Sequence, residues 1–407
     1  MSSSPTVAYS PSVHDPATTD TGHLTTNRQA QPVLPDYAGP CLTNLVPALL
    51  AGADPSPEWL PEVAGRANQV VLLVVDGLGW EQLHDRSAIA PTMAGASKSG
   101  RAITSVAPTT TATALTSIVT GRTPAQHGVL GYRLGVANDE VLNVLRWQVG
   151  SGAARDARES IPPAQFQPFP PFPGSPAPVP VVSRAEFGST GFTAVHLGDS
   201  PLHGYRVLST MVVETRRLLA QGAPFVYGYY DGIDKVAHAH GLGEHYDAEL
   251  HAVDQLVADL AAALPDGAVL VVTADHGQVD VGSHVVLPGK DLMSAVRFIS
   301  GEGRFRWLHA KPGAAKDLLA DSEALYGETT WVRSRDQLLE DGWFGGPLRD
   351  GVVSRLGDVA LVPHAPVAYL DPADTGETRL AARHGSLTSA EMLVPLLCLA
   401  GDGNISL

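Results

Sequence analysis

Three short, unbroken apolar runs punctuate the chain, and each leads into an acidic residue. Val70–Val75 (VVLLVV) precedes Asp76 and Gly77. Phe225–Tyr230 (FVYGYY) leads to Asp231 and Asp234, and Ala268–Thr273 (AVLVVT) to Asp275 and His276. Runs of this length without polar alternation suit strands buried on both faces, the pattern of parallel sheets. Between the second and third runs, Leu250, Val253, Leu256, Val257 and Leu260 recur at helical spacing within Tyr246–Leu264. Strand–helix–strand order predicts an α/β fold with a doubly wound, mostly parallel sheet flanked by helices. In such sheets ligands sit beyond the carboxyl ends of the strands. The acidic residues that close the three runs are therefore expected along one edge.

Outside these runs the pattern changes. Residues 1–35 are rich in Ser, Thr and Pro without sustained periodicity and read as a flexible N-terminal arm. Residues 160–182 are rich in Pro and Phe; they read equally as an excursion that shapes a pocket rim and as a passive connection. From 288 to 380 the chain reads as a smaller inserted α/β lobe, with strand-like FRWLHA, DVALV and VAYL and a helical Ala314–Leu325. The main α/β domain is then 36–287 together with 381–407.

Composition narrows the chemistry. A 407-residue chain that is 44% hydrophobic and 17% charged can bury a large core. With 27 Lys and Arg against 42 Asp and Glu the net charge is −15. That argues against binding duplex nucleic acid or anionic membranes. It permits a positive pocket built around bound cations. Only Cys41 and Cys398 are present, which excludes a four-cysteine zinc site and a disulfide framework; both read as small buried apolar residues. No run approaches the roughly 18 apolar residues of a membrane span. The N-terminus lacks a basic stretch followed by an apolar one, so a cytoplasmic location is expected.

Four segments carry candidate chemistry. In Pro108–Gly121 (PTTTATALTSIVTG), Ala112–Val119 can form a helix that stops at Gly121. Thr109, Thr110, Thr111 and Thr113 lie where hydroxyls cap a helix, and also where a helix start attracts an anion. In Tyr230–Gly241 (YDGIDKVAHAHG), Asp234 and His238 are one helical turn apart and can bind one ion; Asp231 and His240 are alternatives nearby. In Val271–Gly277 (VVTADHG), Asp275 and His276 follow a buried strand, where unpaired polar groups are costly. In Arg383–Leu397 (RHGSLTSAEMLVPLL), His384 precedes a short helix that begins at Ser386 or Thr388 and contains Glu391. A parallel sheet can bring Asp76, Asp234, His238, Asp275, His276 and His384 to one edge with Thr111 beside them. Oxygen and imidazole donors in that number fit two divalent ions and favour zinc.

The ordered set VVDG, PTTTATALTSIVTG with PAQHGVLGY behind it, DKVAHAHG, TADHG and RHGSLTSAEMLVPLL resembles the alkaline phosphatase superfamily. It is most similar to the type I phosphodiesterase and nucleotide pyrophosphatase branch, over roughly residues 70–400. The resemblance implies two zinc ions: one held by Asp76, Asp275 and His276 with the Thr111 oxygen, the other by Asp234, His238 and His384. It implies Thr111 as nucleophile and a phosphothreonine intermediate. It also makes 36–287 with 381–407 a metal-binding catalytic domain. One departure stands out: members of this branch often carry an Asn shortly after the nucleophile, whereas Ala112, Thr113, Ala114 and Leu115 follow here. Thr113 or a backbone amide is the available substitute.

The expected activity is zinc-dependent hydrolysis of a small phosphorylated substrate, a phosphodiester or nucleotide pyrophosphate. The alternatives are a phosphomonoesterase, phosphonate hydrolase or phosphomutase on the same scaffold, and a binding protein that kept the fold alone. A monoester enzyme needs an extra cation, for which Arg101, Arg122 and Arg133 are near in sequence. Tyr132, Trp147, Phe166 and Tyr205 can line a pocket or pack the core. His127 reads as structural and His284 as a support for Asp275 and His276, while His309 and His364 have no evident partner. Oligomeric state is not encoded in any of these features.

Overall fold

The computed structural model describes residues 31–51, 56–150, 154–374, 376 and 379–401. The expected arm at 1–35 lies outside them as far as residue 30. Its last residues are attached: the Val33 amide donates to the Leu387 carbonyl at 2.9 Å.

The three apolar runs form adjacent strands in one sheet. Seven strands lie in the order Arg101–Thr104, Leu393–Ala400, Ala268–Thr273, Gln69–Val75, Phe225–Tyr230, Val181–Arg184, Leu202–Tyr205. The last five are mutually parallel, and Leu393–Ala400 runs antiparallel to Ala268–Thr273 and to Arg101–Thr104. Every residue of Phe225–Tyr230 and Ala268–Thr273 is buried, as continuous apolar runs covered on both faces should be. The fold is thus α/β with a mostly parallel central sheet flanked by helices.

Register determines where the polar residues go. Val75 pairs with Tyr230, and Val74 with Thr273. The three central strands therefore end level, and Asp76, Asp231 and Asp275 emerge at the same edge. The helix Thr111–Thr120 starts at this edge and is buried along nearly its whole length, with its left-handed stop at Gly121 (φ 61°).

The segment expected to be a lobe contains a four-stranded antiparallel sheet, ordered Val296–Glu302, Phe305–Ala310, Val359–Pro363, Thr330–Ser334. Alternation along its strands serves two cores. Phe305 and Trp307 pack on the main core, whereas Leu308 and Ala310 join Leu318 of the helix Ala315–Tyr326 in a second cluster. The chain enters and leaves through short pairings of Val279–Asp280 with Ala382–Arg383 and of Val285–Val286 with Ala368–Tyr369.

Two regions depart from the sequence expectation. Residues 133–149 and 155–156 contribute a small four-stranded antiparallel sheet whose strands, two or three residues long, leave no periodicity to detect. The Pro- and Phe-rich excursion is anchored to the core: Phe166 and Phe172 are buried, and the Phe172 ring lies 5.6 Å from that of Tyr227. Cys41 is buried as expected, but Cys398, within the strand Leu393–Ala400, is only half-buried.

Candidate metal centre

The polar groups reach the sheet edge by a sharp turn after a strand or from the start of a helix. Gly77 adopts φ 77° directly after Asp76, and a Cβ there would lie 3.1 Å from the Asp234 Cα. Only glycine meets both demands. Asp231 opens the helix Gly232–His240, whose first and second turns present Asp234 and His238 on one face.

The structure brings all seven residues expected from the sequence to this edge. The His276 Nε2 has Thr111 Oγ1 at 3.2 Å, Asp76 Oδ1 at 3.4 Å and Asp275 Oδ2 at 3.5 Å. Beside this group, Asp234 Oδ1 lies 3.3 Å from His238 Nε2 and 3.7 Å from His384 Nε2. Asp234 belongs to both gatherings: its ligand atom lies within 4.8 Å of those of His238 and His384, and also of those of Asp76 and His276. Zinc bonds of about 2.0–2.1 Å in tetrahedral geometry place neighbouring ligand atoms roughly 3.3–3.4 Å apart, close to these separations.

The protonation pattern also suits metal. In all three histidines Nδ1 faces a backbone carbonyl: Ala382 for His238, Gly277 for His276 and Thr109 for His384, at 2.8, 3.1 and 2.8 Å. A carbonyl only accepts, so Nδ1 carries the proton and Nε2 keeps its lone pair for the site. The carboxylates are oriented too. Asp76 Oδ2 accepts from the Tyr229 hydroxyl, and Asp234 Oδ1 from Gln278 Nε2 at 2.6 Å. Asp275 Oδ1 accepts from the amides of Gly77 and His276 at 3.1 and 3.0 Å. What remains is conspicuous: Asp76 Oδ1 and Asp275 Oδ2 are buried with no hydrogen-bond donor. Burial, with Asp275 and Asp234 nearby, pushes the Asp76 carboxyl well up, and burial pushes Asp275 up. Burial, then His276 and His238, pushes His384 well down. Bound cations would remove the conflict between these groups, so the donor set fits two divalent ions.

Thr111 stands at the head of its helix. The amides of Thr111, Ala112 and Thr113 precede the first helical bond, from Ala114 to the Thr110 carbonyl. Of the three residues, Thr111 lines both cavities, so its amide is available to an anion beside the Thr111 hydroxyl. Thr113 cannot replace the missing Asn, because it is fully buried and lines neither cavity at the site. The Thr111 amide is the helix-head donor that lines the cavities.

Two cavities open from Thr111 and Asp234. One, of about 220 Å3, extends past Asp76 and is walled mainly by apolar side chains. The other, of about 270 Å3, extends past His238 and His384 to Tyr132, Glu302 and Arg383. Glu302 comes from the inserted segment, which therefore contributes a wall of the site.

Other expected residues are engaged differently. Asp231 reaches the same edge and lines the first cavity but is paired with Arg184 and Lys235 at 2.5 Å each, whereas His240 stacks on His245 away from the site. His284 is exposed and supports nothing at the centre. His127 and His309 are buried against Ser117 and Ser300, and His364 lies near Trp331. Trp147, Phe166 and Tyr205 pack in the core. Arg101, Arg122 and Arg133 line neither cavity, and Arg133 is bound to Asp371 at 2.7 Å. Phe187, Phe192, His196, Tyr227 and Tyr229 do line the first cavity. Only the Tyr227 and Tyr229 alternation within FVYGYY offered a sequence signal for any of them.

Comparison with known proteins agrees with this arrangement. Residues 70–387 match the family described as type I phosphodiesterase / nucleotide pyrophosphatase. No curated protein matched the chain. Among solved structures, murine ectonucleotide pyrophosphatase / phosphodiesterase 5 in complex with AMP aligns with a TM-score of 0.59 at 16% identity, covering 81% of this chain and 87% of its own. Phosphonoacetate hydrolase from Sinorhizobium meliloti in complex with phosphonoformate aligns with a TM-score of 0.59 at 19% identity, covering 82% and 91%. Both likenesses establish the shared fold.

Proposed function

This chain belongs to the type I phosphodiesterase / nucleotide pyrophosphatase family, and we propose that it hydrolyses a small phosphodiester or nucleotide pyrophosphate with Thr111 as nucleophile and two zinc ions as cofactors. The observation that carries the reading is the position of the Thr111 Oγ1, 3.2 Å from the His276 Nε2, which also has the orphaned oxygens of Asp76 and Asp275 at 3.4 and 3.5 Å. Asp76, Asp275 and His276, with the Thr111 oxygen, would hold one ion; Asp234, His238 and His384 would hold the other. When bound, such a pair supplies Lewis-acid stabilisation of the attacking and leaving oxygens.

The chain's own residues do the rest. Thr111 Oγ1 attacks phosphorus in line and forms a phosphothreonine, and the ester oxygen on the opposite side departs. The Thr111 amide, at the helix head on the residue that lines both cavities, receives a non-bridging oxygen. Water then cleaves the phosphothreonine and frees Thr111. Tyr229 and Gln278 keep the Asp76 and Asp234 carboxylates in place through both steps.

Two cavities meeting at Thr111 favour a diester, which has two substituents to place, over a monoester, which has one. A second reading, a monoester or phosphonate hydrolase, finds support in Lys235 and Arg383, cationic side chains in the cavity walls. The ratio of kcat/KM for bis-p-nitrophenyl phosphate to that for p-nitrophenyl phosphate separates the two. A value well above one is expected, and a strong monoester preference would overturn the diester assignment.

A further inference from the structure

We propose that Gln82 and Gln278 are positioning residues of the metal centre: a buried pair of side-chain amides that pins together the four chain segments supplying its candidate Asp and His ligands. This rests on the reading of the sheet edge as a two-ion site. Neither glutamine lines a cavity there, so each acts through the groups it holds.

Gln82 belongs to the helix Trp80–Asp85, which begins just after Asp76 and Gly77. It is 5% exposed, and its Nε2 donates to two carbonyls, that of Gln278 at 2.6 Å and that of Ala390 at 3.1 Å. Gln278 follows Asp275 and His276 along the chain, and Ala390 lies in the helix Ser389–Met392 behind the His384 loop. One amide therefore joins the segments of Asp76, of Asp275 with His276, and of His384. Their backbones are in close contact. The Gly277 amide donates to the Glu391 carbonyl at 2.9 Å, and a Cβ on Gly277 would run into the Ala390 carbonyl and lie 3.0 Å from the Gly79 Cα.

Gln278, 1% exposed, reaches the fourth segment. Its Nε2 donates to Asp234 Oδ1 at 2.6 Å, the atom that has His238 and His384 Nε2 at 3.3 and 3.7 Å. A hydrogen bond to a carboxylate oxygen fixes the side chain and still leaves that oxygen a lone pair for an ion.

Packing does not account for two glutamines in these places. The Oε1 atoms of both are buried with no hydrogen-bond partner, a cost that Leu or Met of similar volume would not carry. What a carboxamide adds over an apolar side chain is its N–H groups. Here their bonds end on a candidate ligand carboxylate or on backbone carbonyls of ligand-bearing segments. The two residues differ in reach: Gln278 orients a single carboxylate, whereas Gln82 sets the spacing between segments.

Cobalt(II), whose visible absorption reports its coordination geometry, tests this on the full chain. Metal-free protein is titrated with cobalt, and the wild type should take up two ions. Gln278→Met should weaken one of them roughly 10–100-fold and change its absorption band, with the other bound as in the wild type. Gln82→Met should weaken both, by roughly tenfold or more. Methionine keeps the volume and removes the donor, so side chains that only fill space would leave affinity and spectrum unchanged. Should Gln82→Met not fold, Gln278→Met carries the test alone. Variants that match the wild type in affinity and spectrum overturn the role of the pair and leave the metal centre standing. A wild type that binds no cobalt overturns the centre, and the pair's role with it. The expected spectral changes, without turnover of bis-p-nitrophenyl phosphate by the zinc-loaded wild type, refute the hydrolase reading and leave the pair's role standing.

Discussion

Thr109 and His384 are separated by 275 residues and meet through a single backbone contact, the imidazole Nδ1 donating to the Thr109 carbonyl at 2.8 Å. The Thr109 hydroxyl secures the same loop twice more, donating to the Ser386 carbonyl at 2.7 Å and accepting from the Gly385 amide at 3.0 Å. From the other side the loop is held by Glu391, which accepts from the Ser386 amide and forms a fully buried bidentate pair with Arg304 at 2.7 and 2.8 Å. Thr109 touches no candidate ligand atom at the sheet edge. It orients the loop that carries one.

This makes Thr109→Val an informative change. The hydroxyl is lost and the shape is nearly kept, so the fold should survive. Groups that orient a ligand typically contribute 10–100-fold to metal affinity. Competition titration with a chromophoric chelator should show such a loss at one of two sites, with the other unchanged. Thr109→Ser should restore it. Equal weakening of both sites, or none, would show that the loop is held without the hydroxyl.

Removing metal should destabilise the protein as well as silence it. Without cations, Asp76 Oδ1 and Asp275 Oδ2 are buried with nothing to neutralise them. Zinc at a hundred times its dissociation constant stabilises a folded protein by about 2.7 kcal/mol per site. Dialysis against a chelator should abolish turnover and lower the melting temperature, and added zinc should reverse both. A melting temperature indifferent to zinc would count against a cation site at these carboxylates.

Thr111→Ala separates chemistry from binding. The proposed nucleophile is lost, but the six other candidate donors remain at the sheet edge. Turnover of bis-p-nitrophenyl phosphate should fall by roughly 10³-fold or more, while bound zinc stays near the wild-type amount. Thr111→Ser should retain measurable activity. Full activity in the alanine variant would move the nucleophile to another residue.

The sequence pointed to most of this cluster because several of its candidate ligands follow buried strands. Val70–Val75, Phe225–Tyr230 and Ala268–Thr273 are apolar throughout, and the strands they form end level at the sheet edge. The acidic residues after them therefore had one place to go. The cavities were not legible for the opposite reason. Phe187, Phe192 and His196 occupy short turns and a six-residue helix, where no periodicity marks one face. The sharing of Asp234 between both ligand groups depends on distances of a few ångström that spacing along a helix does not specify. Glu302 enters the site from a strand of the inserted segment whose burial pattern gives no hint of a ligand-facing position.

His127 predicts a pH dependence independent of the metal centre. It is fully buried, and the Val129 amide donates to its Nδ1 at 3.0 Å. Nδ1 is thus an acceptor, so Nε2 carries the proton and donates to Ser117 Oγ at 2.8 Å. A second proton has no acceptor to face. Burial, then Arg355 and Arg349, pushes the pKa down to about 3, against about 6.5 for an unfolded histidine. Between those values the unfolded chain binds a proton that the native one refuses, so native stability falls as pH drops below about 6.5. The slope approaches 1.4 kcal/mol per pH unit for one such group. His127→Gln should lower stability at pH 8 through its lost hydrogen bonds, yet lose less on going from pH 6.5 to 4. Urea unfolding of both proteins across that range should give curves that converge towards acid; parallel curves would show that His127 takes up a proton in the folded state.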